Sequence, residues 1–322
     1  MRRLLFSLGL PAILAASASG QAPTGSEGSL FLLLPTGAQA VGMGQAMVAA
    51  KPGSEGIWWN PASIGDQDKK ELAIHHSKTV AGVGDALTFV LPTRSYGTAA
   101  LSLNILDLGE QEVKDAFDQV IGVILPRDVV LAATYAASLT KRLDAGFNYK
   151  IVQIRSDCSG ECATIGAEVQ SSRAVDLGAQ YEVAVGAPLS FGVAIRNLGG
   201  KLNSRETNRQ NPLPTQLEVG AMYRLKFIDH YVKDTELRAS GSFVNSRSFG
   251  GQAVRFGTDI MYQGKVHLRA GYVGRDQRGD ASAALGFGLQ SGGFVFDIAR
   301  TFGGLPADDG QAPVYASLRY LF

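Results

Sequence analysis

The sequence has little charge, and beyond residue 20 it lacks any long apolar run. Charged residues make up 18% of the 322 positions and the net charge is +1, so nothing electrostatic points to a nucleic-acid partner. A membrane-spanning helix needs about 18 consecutive apolar residues, whereas the later apolar runs are interrupted within about ten. These shortages exclude a helical membrane protein, and the low charge is unusual for a soluble helical one.

Cysteine is nearly absent, and the two that occur, Cys158 and Cys162, are close together. A zinc site would need two further ligands nearby, and none is visible. A redox pair would have the spacing C-x-x-C, which differs from this one. In an oxidising compartment the simplest interpretation is a disulfide that closes a loop tip. The sequence therefore predicts a local disulfide, no metal site and no cofactor.

The first residues of the chain predict export. A positive start is followed by an apolar run over 4–15 and by small residues at 16–18, the pattern of a cleaved leader. A cut after Gly20 fits almost as well. A short buried helix of a cytosolic domain is the alternative, but Pro11 and the absence of a polar helix face oppose it. We expect a signal peptide over residues 1–20.

From Glu71 onward, apolar and polar residues alternate in segments of about ten, the length of a tilted strand that crosses a membrane. In one such segment Val175 and Leu177 share a face, and Asp176 lies on the other. The pattern predicts about fourteen strands, at 71–79, 84–92, 96–106, 129–140, 143–155, 174–183, 189–198, 214–226, 235–247, 253–263, 265–275, 281–291, 293–302 and 312–322.

The connections between these strands alternate between long and short. A soluble β-sandwich or propeller also has short strands and turns, but it has no reason to sort its loops by length. Outer-membrane barrels have short periplasmic turns and longer extracellular loops. We therefore predict an all-β fold: a transmembrane antiparallel β-barrel over 70–322, in contact with outer-membrane lipid.

Residues 29–64 differ from the rest of the chain because they are rich in glycine and alanine and have no period of two. Clustered glycines allow two backbones to approach closely, and Asn60-Pro61 is a turn or helix-start signal. A dinucleotide-binding loop is excluded, because Met47 occupies the position of the third glycine. We expect residues 21–69 to form a plug, or hatch, inside the barrel.

Three motifs in this block carry a resemblance to a known family: 34–38 (LPTGA), 42–46 (GMGQA) and 59–62 (WNPA). At these residues the sequence resembles the PorV/PorQ family of FadL-like outer-membrane barrels. The resemblance implies a plugged barrel of fourteen strands and a terminal aromatic residue, Phe322, that serves as insertion signal. It also implies a hatch motif, comprising Gly42, Gly44, Trp58, Trp59, Asn60, Pro61 and Ala62.

The face opposite the apolar one carries charges of both signs and is predicted to line the lumen. Mixed signs on neighbouring strands favour an ion-paired interior that holds the plug, and a lining that selects a charged solute is the alternative. The predicted lumen residues are Lys150, Asp176, Arg196, Glu218, Arg238, Arg255, Asp259, His267, Arg269, Asp297 and Arg319.

No constellation of catalytic residues is apparent. His75 and His76 are adjacent on a predicted strand and therefore point to opposite faces. No nucleophile motif of the G-x-S-x-G type occurs. We predict that the protein is not an enzyme and has no catalytic residues.

The resemblance implies FadL-like passage of hydrophobic small molecules across the outer membrane. A second hypothesis is a PorV-like docking or shuttle role in a type IX secretion system, with secretion-system proteins or cargo as partners. A third is an accessory subunit of an envelope complex. In the docking hypothesis the contact surface is formed by connections 107–128, 156–173 and 199–213, the first of which contains Asp107, Glu110, Glu112, Asp115 and Asp118.

Overall fold

The chain folds into one closed antiparallel sheet in a computed structural model. The first strand, β1 (Glu71–Thr79), pairs with both its neighbour β2 (Gly82–Thr93) and the last strand, β17 (Val314–Leu321), and this second pairing closes the barrel. The structure describes residues 28–93, 96–161, 168–186, 188–203, 210–225, 228, 230–246, 251–275, 281–303 and 312–322.

Seventeen strands are described, and fourteen of them form the wall, as predicted. The other three, β4 (Gln111–Lys114), β9 (Lys201–Asn203) and β10 (Gln210–Pro212), are short and lie within connections. The remaining wall strands are β3 (Gly97–Asp107), β5 (Val120–Thr140), β6 (Leu143–Gly160), β7 (Glu168–Glu182), β8 (Leu189–Gly199), β11 (Gln216–Leu225), β12 (Thr235–Ser246), β13 (Gln252–Tyr262), β14 (Val266–Arg275), β15 (Ser282–Ser291) and β16 (Phe294–Phe302).

Residues 107–128 were predicted as a connection, and this prediction is wrong. The segment contains β4 and the beginning of β5, which pair with each other as a hairpin. Strand β5 is 21 residues long, and its neighbours β6 and β7 have 18 and 15, whereas about 9–11 suffice to cross a membrane. These three strands therefore extend well beyond the barrel wall on one side.

The two rims of the barrel differ. The turn rim carries the short connections such as 141–142 and the ends of the wall at Glu71 and Leu321; the loop rim carries the long ones, including β4 and the β9–β10 hairpin. Outward side chains such as Leu217 and Val219 stay exposed, while the alternating inward residue Glu218 is buried. An apolar outer surface over a polar interior is the pattern of a barrel in lipid.

The N-terminal segment (residues 28–70) lies inside the barrel and runs from the loop rim to the turn rim. Its first described residue, Gly28, donates to Pro212 O at 3.1 Å in β10, and at the other end Lys70 and Phe322 exchange backbone hydrogen bonds of 3.0 and 3.1 Å. It contains 3₁₀ helices at Leu30–Leu33, Gly53–Trp58 and Pro61–Ile64, and helix α1 at Ala38–Gly42. Among the described residues, no helix is long and apolar enough to span a membrane.

The interior of the barrel as candidate functional site

Glycines on the inner wall let the N-terminal segment approach the strands backbone to backbone. A Cβ placed on Gly271 would lie 1.9 Å from Gly44 N, and one on Gly257 would lie 2.2 Å from Met43 O. The same holds where a Cβ on Gly192 would lie 2.0 Å from Val48 O. The glycine belt is defined as the inward wall glycines on which a Cβ would lie within 3.0 Å of the segment, against its backbone or, at Gly178 and Gly220, against its side chains: Gly146, Gly178, Gly192, Gly220, Gly257, Gly271 and Gly286.

Asn60 ties the segment to the wall and to itself. Its side chain accepts from Ala62 N at 3.0 Å and so caps the 3₁₀ helix that starts at Pro61. Its Nδ2 donates to Val48 O at 2.7 Å and to Ala179 O of β7 at 3.2 Å. Pro at the first helical position needs no backbone donor there. The Asn-Pro-Ala sequence thus acts as a helix start that also bonds to a strand.

The two tryptophans lie in the middle of the lumen beside arginines of the wall. The guanidinium carbons of Arg196 and Arg255 lie 5.1 and 5.4 Å from the centroid of the Trp59 ring, within cation–π range. Arg196 also donates to Trp58 O at 3.1 Å, and Trp59 Nε1 donates to Thr36 O at 3.2 Å. The charged wall therefore holds this part of the segment in place.

The inward charges form pairs that run from strand to strand. Each buried charge in this series of pairs lies next to a charge of the opposite sign, and the attraction between them offsets the cost of removing the charge from water. The nitrogen–oxygen distances are 2.6 Å for Lys150–Asp176, 2.9 Å for Arg255–Glu218, 3.3 Å for Arg269–Asp259, 2.6 Å for Arg269–Asp297, and 3.2 Å for Arg319–Asp297.

A second polar group, Glu55, His75 and Ser317, joins the segment to strands β1 and β17. His75 Nδ1 lies 2.8 Å from Ser317 Oγ and 3.9 Å from Glu55 Oε2. In a nucleophilic triad the acid and the hydroxyl contact different ring nitrogens, whereas here both face Nδ1. Ser317 Oγ also accepts from Ala38 N at 2.9 Å. The arrangement fixes the segment against the wall and lacks the geometry of a proton relay.

Lys51 anchors the segment at the turn rim. Its Nζ lies 2.7 Å from Asp66 and from Asp144 at the start of β6, and 3.4 Å from Glu182 at the end of β7. Burial lowers the pKa of Lys51, but the hydrogen bonds to Asp144 and Asp66 outweigh burial and raise the pKa above its usual range. The ammonium therefore stays charged and links two wall strands to the segment.

Part of the lumen on the loop-rim side is apolar, and the chain's own side chains occupy it. The apolar chamber is defined as the space between the wall residues Ala86, Leu106, Val130 and Val152 and the pair Trp58 and Trp59; Phe31, Leu32 and Leu34 fill it. Two cavities of about 30 and 20 Å³ remain beside these residues, each large enough for about one or two water molecules. In this state the chamber is closed.

The structure places most of the predicted site residues inside the barrel. The seven hatch-motif residues are all buried, and so are the predicted lumen residues except Arg238, which is half-buried near the turn rim and pairs with Glu236 at 2.6 Å. The partner of His267 is Asp259, at 3.0 Å. Exposed His76 pairs with Asp85 at 2.7 Å.

The remaining predicted features lie at or beyond the edges of the described structure. Cys158 lies near the loop-rim end of β6, opposite Ile124. Cys162 and residues 1–27 are outside the described residues, so the disulfide, the signal peptide and the first part of the plug stay predictions. Phe322 is half-exposed and stacks on Tyr320, with ring centroids 5.4 Å apart.

Sequence reasoning missed Lys51, Glu55 and the glycine belt. The inward glycines had a readable signal, since a glycine inside a strand often marks a close backbone approach. Glu55 had none, because its partners are distant in sequence. Within the described part of the chain, no three His, Cys, Asp or Glu side chains are grouped as metal ligands would be.

A closed fourteen-stranded barrel, apolar outside and filled from within by its own N-terminal segment, defines the chain as an outer-membrane β-barrel protein. The family model described as "Type IX secretion system protein PorV" matches residues 19–238. The chain belongs to this family. A comparison with curated protein sequences gave no match.

Solved structures of outer-membrane barrels share the fold. The toluene transporter TodX of Pseudomonas putida is 12% identical, with a TM-score of 0.61 over 88% of this chain and 97% of that one. The monoaromatic hydrocarbon channel CymD is 13% identical, with a TM-score of 0.57 over 90% and 97%. A FadL homologue of Pseudomonas aeruginosa is 12% identical, with a TM-score of 0.53 over 90% and 98%. At these identities the likeness concerns the fold.

Proposed function

We propose that this barrel admits hydrophobic small molecules from outside the cell into its apolar chamber, as a first step of passage across the outer membrane. The observation that carries the proposal is the chamber itself, an apolar part of the lumen on the loop-rim side of the two tryptophans. Barrels of the same fold include a toluene transporter and a monoaromatic hydrocarbon channel. We also propose that residues 1–20 are a signal peptide and that the protein is not an enzyme.

The chamber is occupied by side chains that a ligand could replace. Phe31 is buried among wall residues, but the 3₁₀ helix that carries it, Leu30–Leu33, is only four residues long. So short a helix has little stability of its own. A hydrophobic molecule would gain the same burial that Phe31 and Leu34 now have. The segment 28–35 would then move while the glycine belt keeps residues 42–48 in place.

Entry into the chamber can be measured with 10-bromodecan-1-ol, because bromine quenches tryptophan on contact. Trp58 and Trp59 are the only tryptophans of the chain and both lie in the lumen, so probe dissolved in the surrounding lipid does not reach them. We expect saturable quenching of the barrel in nanodiscs assembled with a scaffold protein that lacks tryptophan. The double variant Phe31→Ala, Leu34→Ala should bind about tenfold more tightly, since the competing side chains are removed.

The matched control is Leu30→Ala, which shortens an exposed leucine of the same helix and should leave the affinity unchanged. No saturable quenching in the wild type or in the double variant would contradict the proposal. Equal effects of both substitutions would show a general loosening of the segment and would also contradict it.

A docking role is the second candidate, and the projecting strands β5, β6 and β7 favour it. The hairpin β4–β5 ends in a turn in which Asp115 accepts from the backbone of Phe117 and Gln119 at 2.8 and 2.9 Å. This turn presents Phe117 with 83% of its surface exposed. Such an exposed aromatic residue on an ordered turn is suited to protein contact, and the family's description names a secretion system.

The docking role predicts that Phe117 contributes to partner binding. Cross-linking from a photoreactive residue at this position in intact cells, followed by mass spectrometry, should recover one defined envelope or secreted protein. Phe117→Ser should reduce that recovery, while the same change at Tyr231, which is equally exposed at the turn rim, should not. Recovery of lipid only would exclude this role for the hairpin.

A further inference from the structure

One buried carboxylate in the lumen differs from all the others described. Asp128 lies on the inward face of β5, opposite Leu106 of β3 and Ile154 of β6, and it is 8% exposed. The next inward residue towards the turn rim is Val130, a wall residue of the apolar chamber. Asp128 therefore stands at the edge of the chamber that faces the loop rim.

The described residues provide Asp128 with no hydrogen bond or ion pair, whereas the other buried carboxylates of the lumen have partners. Glu218 pairs with Arg255 at 2.9 Å, and Asp297 pairs with Arg269 at 2.6 Å. Burying an unpaired carboxylate is costly. A leucine or valine would suit the apolar surroundings better, so packing alone does not account for an aspartate at this position.

A second polar group in the same region also lacks a partner. Ser172 is an inward residue of β7, 7% exposed, and its Oγ is buried without a hydrogen bond in the described structure. It lies opposite Val152 of β6, one inward position from the rung that holds Ile154 and Asp128. Asp128 and Ser172 thus place an unpaired carboxylate and an unsatisfied hydroxyl at the edge of an apolar space, and a few polar groups on an apolar lining are typical of a site for an amphipathic ligand.

The charged groups near Asp128 determine which polar end group of a ligand would fit. Two inward cations, Lys150 and Arg196, line the smaller cavity of the chamber, but both are paired, Lys150 at 2.6 Å from Asp176 and Arg196 at 3.5 Å from Glu218. Lys150 lies two inward positions further into the lumen than Asp128. Arg127, next to Asp128 in sequence, is exposed and pairs with Asp107 at 3.0 Å. Asp128 is therefore available to an external cation.

We propose that the chamber binds amphiphiles whose polar end is a protonated amine, with the ammonium on Asp128 and the apolar chain in place of Phe31, Leu32 and Leu34. The inference rests on the proposed entry of hydrophobic molecules, and it specifies their class. A charged hydrogen bond in a site shielded from water is strong, so the amine is preferred over a neutral head of equal length.

The test compares 10-bromodecylamine with 10-bromodecan-1-ol by quenching of Trp58 and Trp59 in phosphatidylcholine nanodiscs. We expect the wild type to bind the amine about tenfold more tightly than the alcohol. Asp128→Asn should abolish this preference and leave the alcohol unchanged. Asp157→Asn removes an exposed aspartate of β6 and is the matched control; it should retain the preference.

A second measurement separates binding from a structural role. Because the unpaired carboxylate is costly to bury, Asp128→Asn should raise the midpoint of thermal unfolding without ligand. A lower midpoint together with weaker binding of both probes would overturn the inference, because it would show that Asp128 supports the fold. Quenching by the alcohol without any preference for the amine would also overturn it but leave the proposed function standing. Quenching by neither probe would overturn both.

The same assay distinguishes a free amine from a lipid headgroup. In nanodiscs that contain phosphatidylethanolamine, a headgroup bound at Asp128 would compete and weaken the binding of the amine. We expect the affinity for 10-bromodecylamine to be unchanged, because a ligand of this site must place its own apolar chain inside the lumen, whereas the chains of a membrane lipid lie in the bilayer. A severalfold loss in the wild type that is absent in Asp128→Asn would assign the site to the lipid and overturn the proposal for a free amphiphile.

Discussion

At the residue scale, Glu55 holds the N-terminal segment together from inside. Its carboxylate accepts from Ala40 N at 2.5 Å and packs so closely on Gly37 that a Cβ there would lie 2.0 Å from its Cδ. Gly37 has a φ of 95°, which only glycine adopts without strain. The acid, the glycine and the first turn of α1 therefore depend on one another.

Burial makes Glu55 a source of pH dependence. Burial raises the pKa of Glu55 from 4.5 to about 7, although Arg319 and the bond from Ala40 N oppose the rise. Between these two values the folded protein binds more protons than the unfolded chain, so stability falls as pH rises through about 7. We expect this contribution to amount to about 3 kcal/mol between about pH 5 and pH 8.

Urea unfolding of the wild type and of Glu55→Gln in detergent micelles measures this contribution. The glutamine keeps the shape of the side chain but cannot ionise, so the variant should lose less stability on going to high pH than the wild type does. The charged and titratable groups that surround Glu55 are common to both proteins and cancel in the comparison; they are Arg319, Asp297, Arg269 and His75. Parallel pH curves for the two proteins would contradict the assignment to Glu55.

At the element scale, the glycine belt makes the fit of the segment sensitive to single methyl groups. We predict that Gly271→Ala destabilises the protein by about 2 kcal/mol or more, because the new Cβ would lie 1.9 Å from the backbone of Gly44 and the segment must shift. Urea unfolding and limited proteolysis of residues 28–66 are the measurements. Gly241→Ala is the matched control, since its Cβ would meet Phe256 at an ordinary 3.4 Å. Equal stability of both variants would contradict the prediction.

The strand bounds show how much of the fold could be predicted from the sequence. The bounds of β1 were predicted without error, because Glu71–Thr79 crosses the membrane once with one face in lipid and one in the lumen. The first part of β5 was missed because residues 120–126 (VIGVILP) do not alternate. Above the membrane the two faces of a strand no longer have lipid and lumen to distinguish them, so the period of two disappears while the pairing continues.

The sequence predicted which residues face the interior, but not which of them contact one another. Alternation placed Asp176, Arg196 and Asp297 on the inward face, and the structure finds them buried there. Their partners depend on the register between strands, which no local pattern contains. The path of residues 28–66 was beyond sequence reasoning for the same reason, because a segment without periodicity is positioned by the cavity that receives it.

At the scale of the whole molecule, the barrel depends on the seam between β1 and β17. Phe322 lies at this seam, where its ring faces the Lys70 ammonium at 5.9 Å. We propose that this terminal aromatic residue serves as the insertion signal, and we predict that Phe322→Ser causes a severalfold reduction of heat-modifiable barrel in outer-membrane fractions. Phe322→Tyr should assemble normally.

The stability of the purified Phe322→Ser variant distinguishes a defect in insertion from a defect in packing. Phe322 is 53% exposed, so serine removes little buried surface, and the variant refolded in detergent should unfold close to the wild-type midpoint. Normal amounts of the serine variant in the membrane would contradict the role in insertion. A large loss of stability in detergent would attribute the effect to packing.

The course of the N-terminal segment also determines the order of assembly. A chain that lies at β10 by Gly28 and at the seam by Lys70 passes through a closed ring, so it must be inside before the last strand joins the first or be drawn through lengthwise afterwards. Its close contacts with glycines of seven wall strands leave little room to draw it through a ring that is already closed. We therefore infer that folding of the segment and closure of the ring are one event, in which residues 28–70 are the template around which the wall closes.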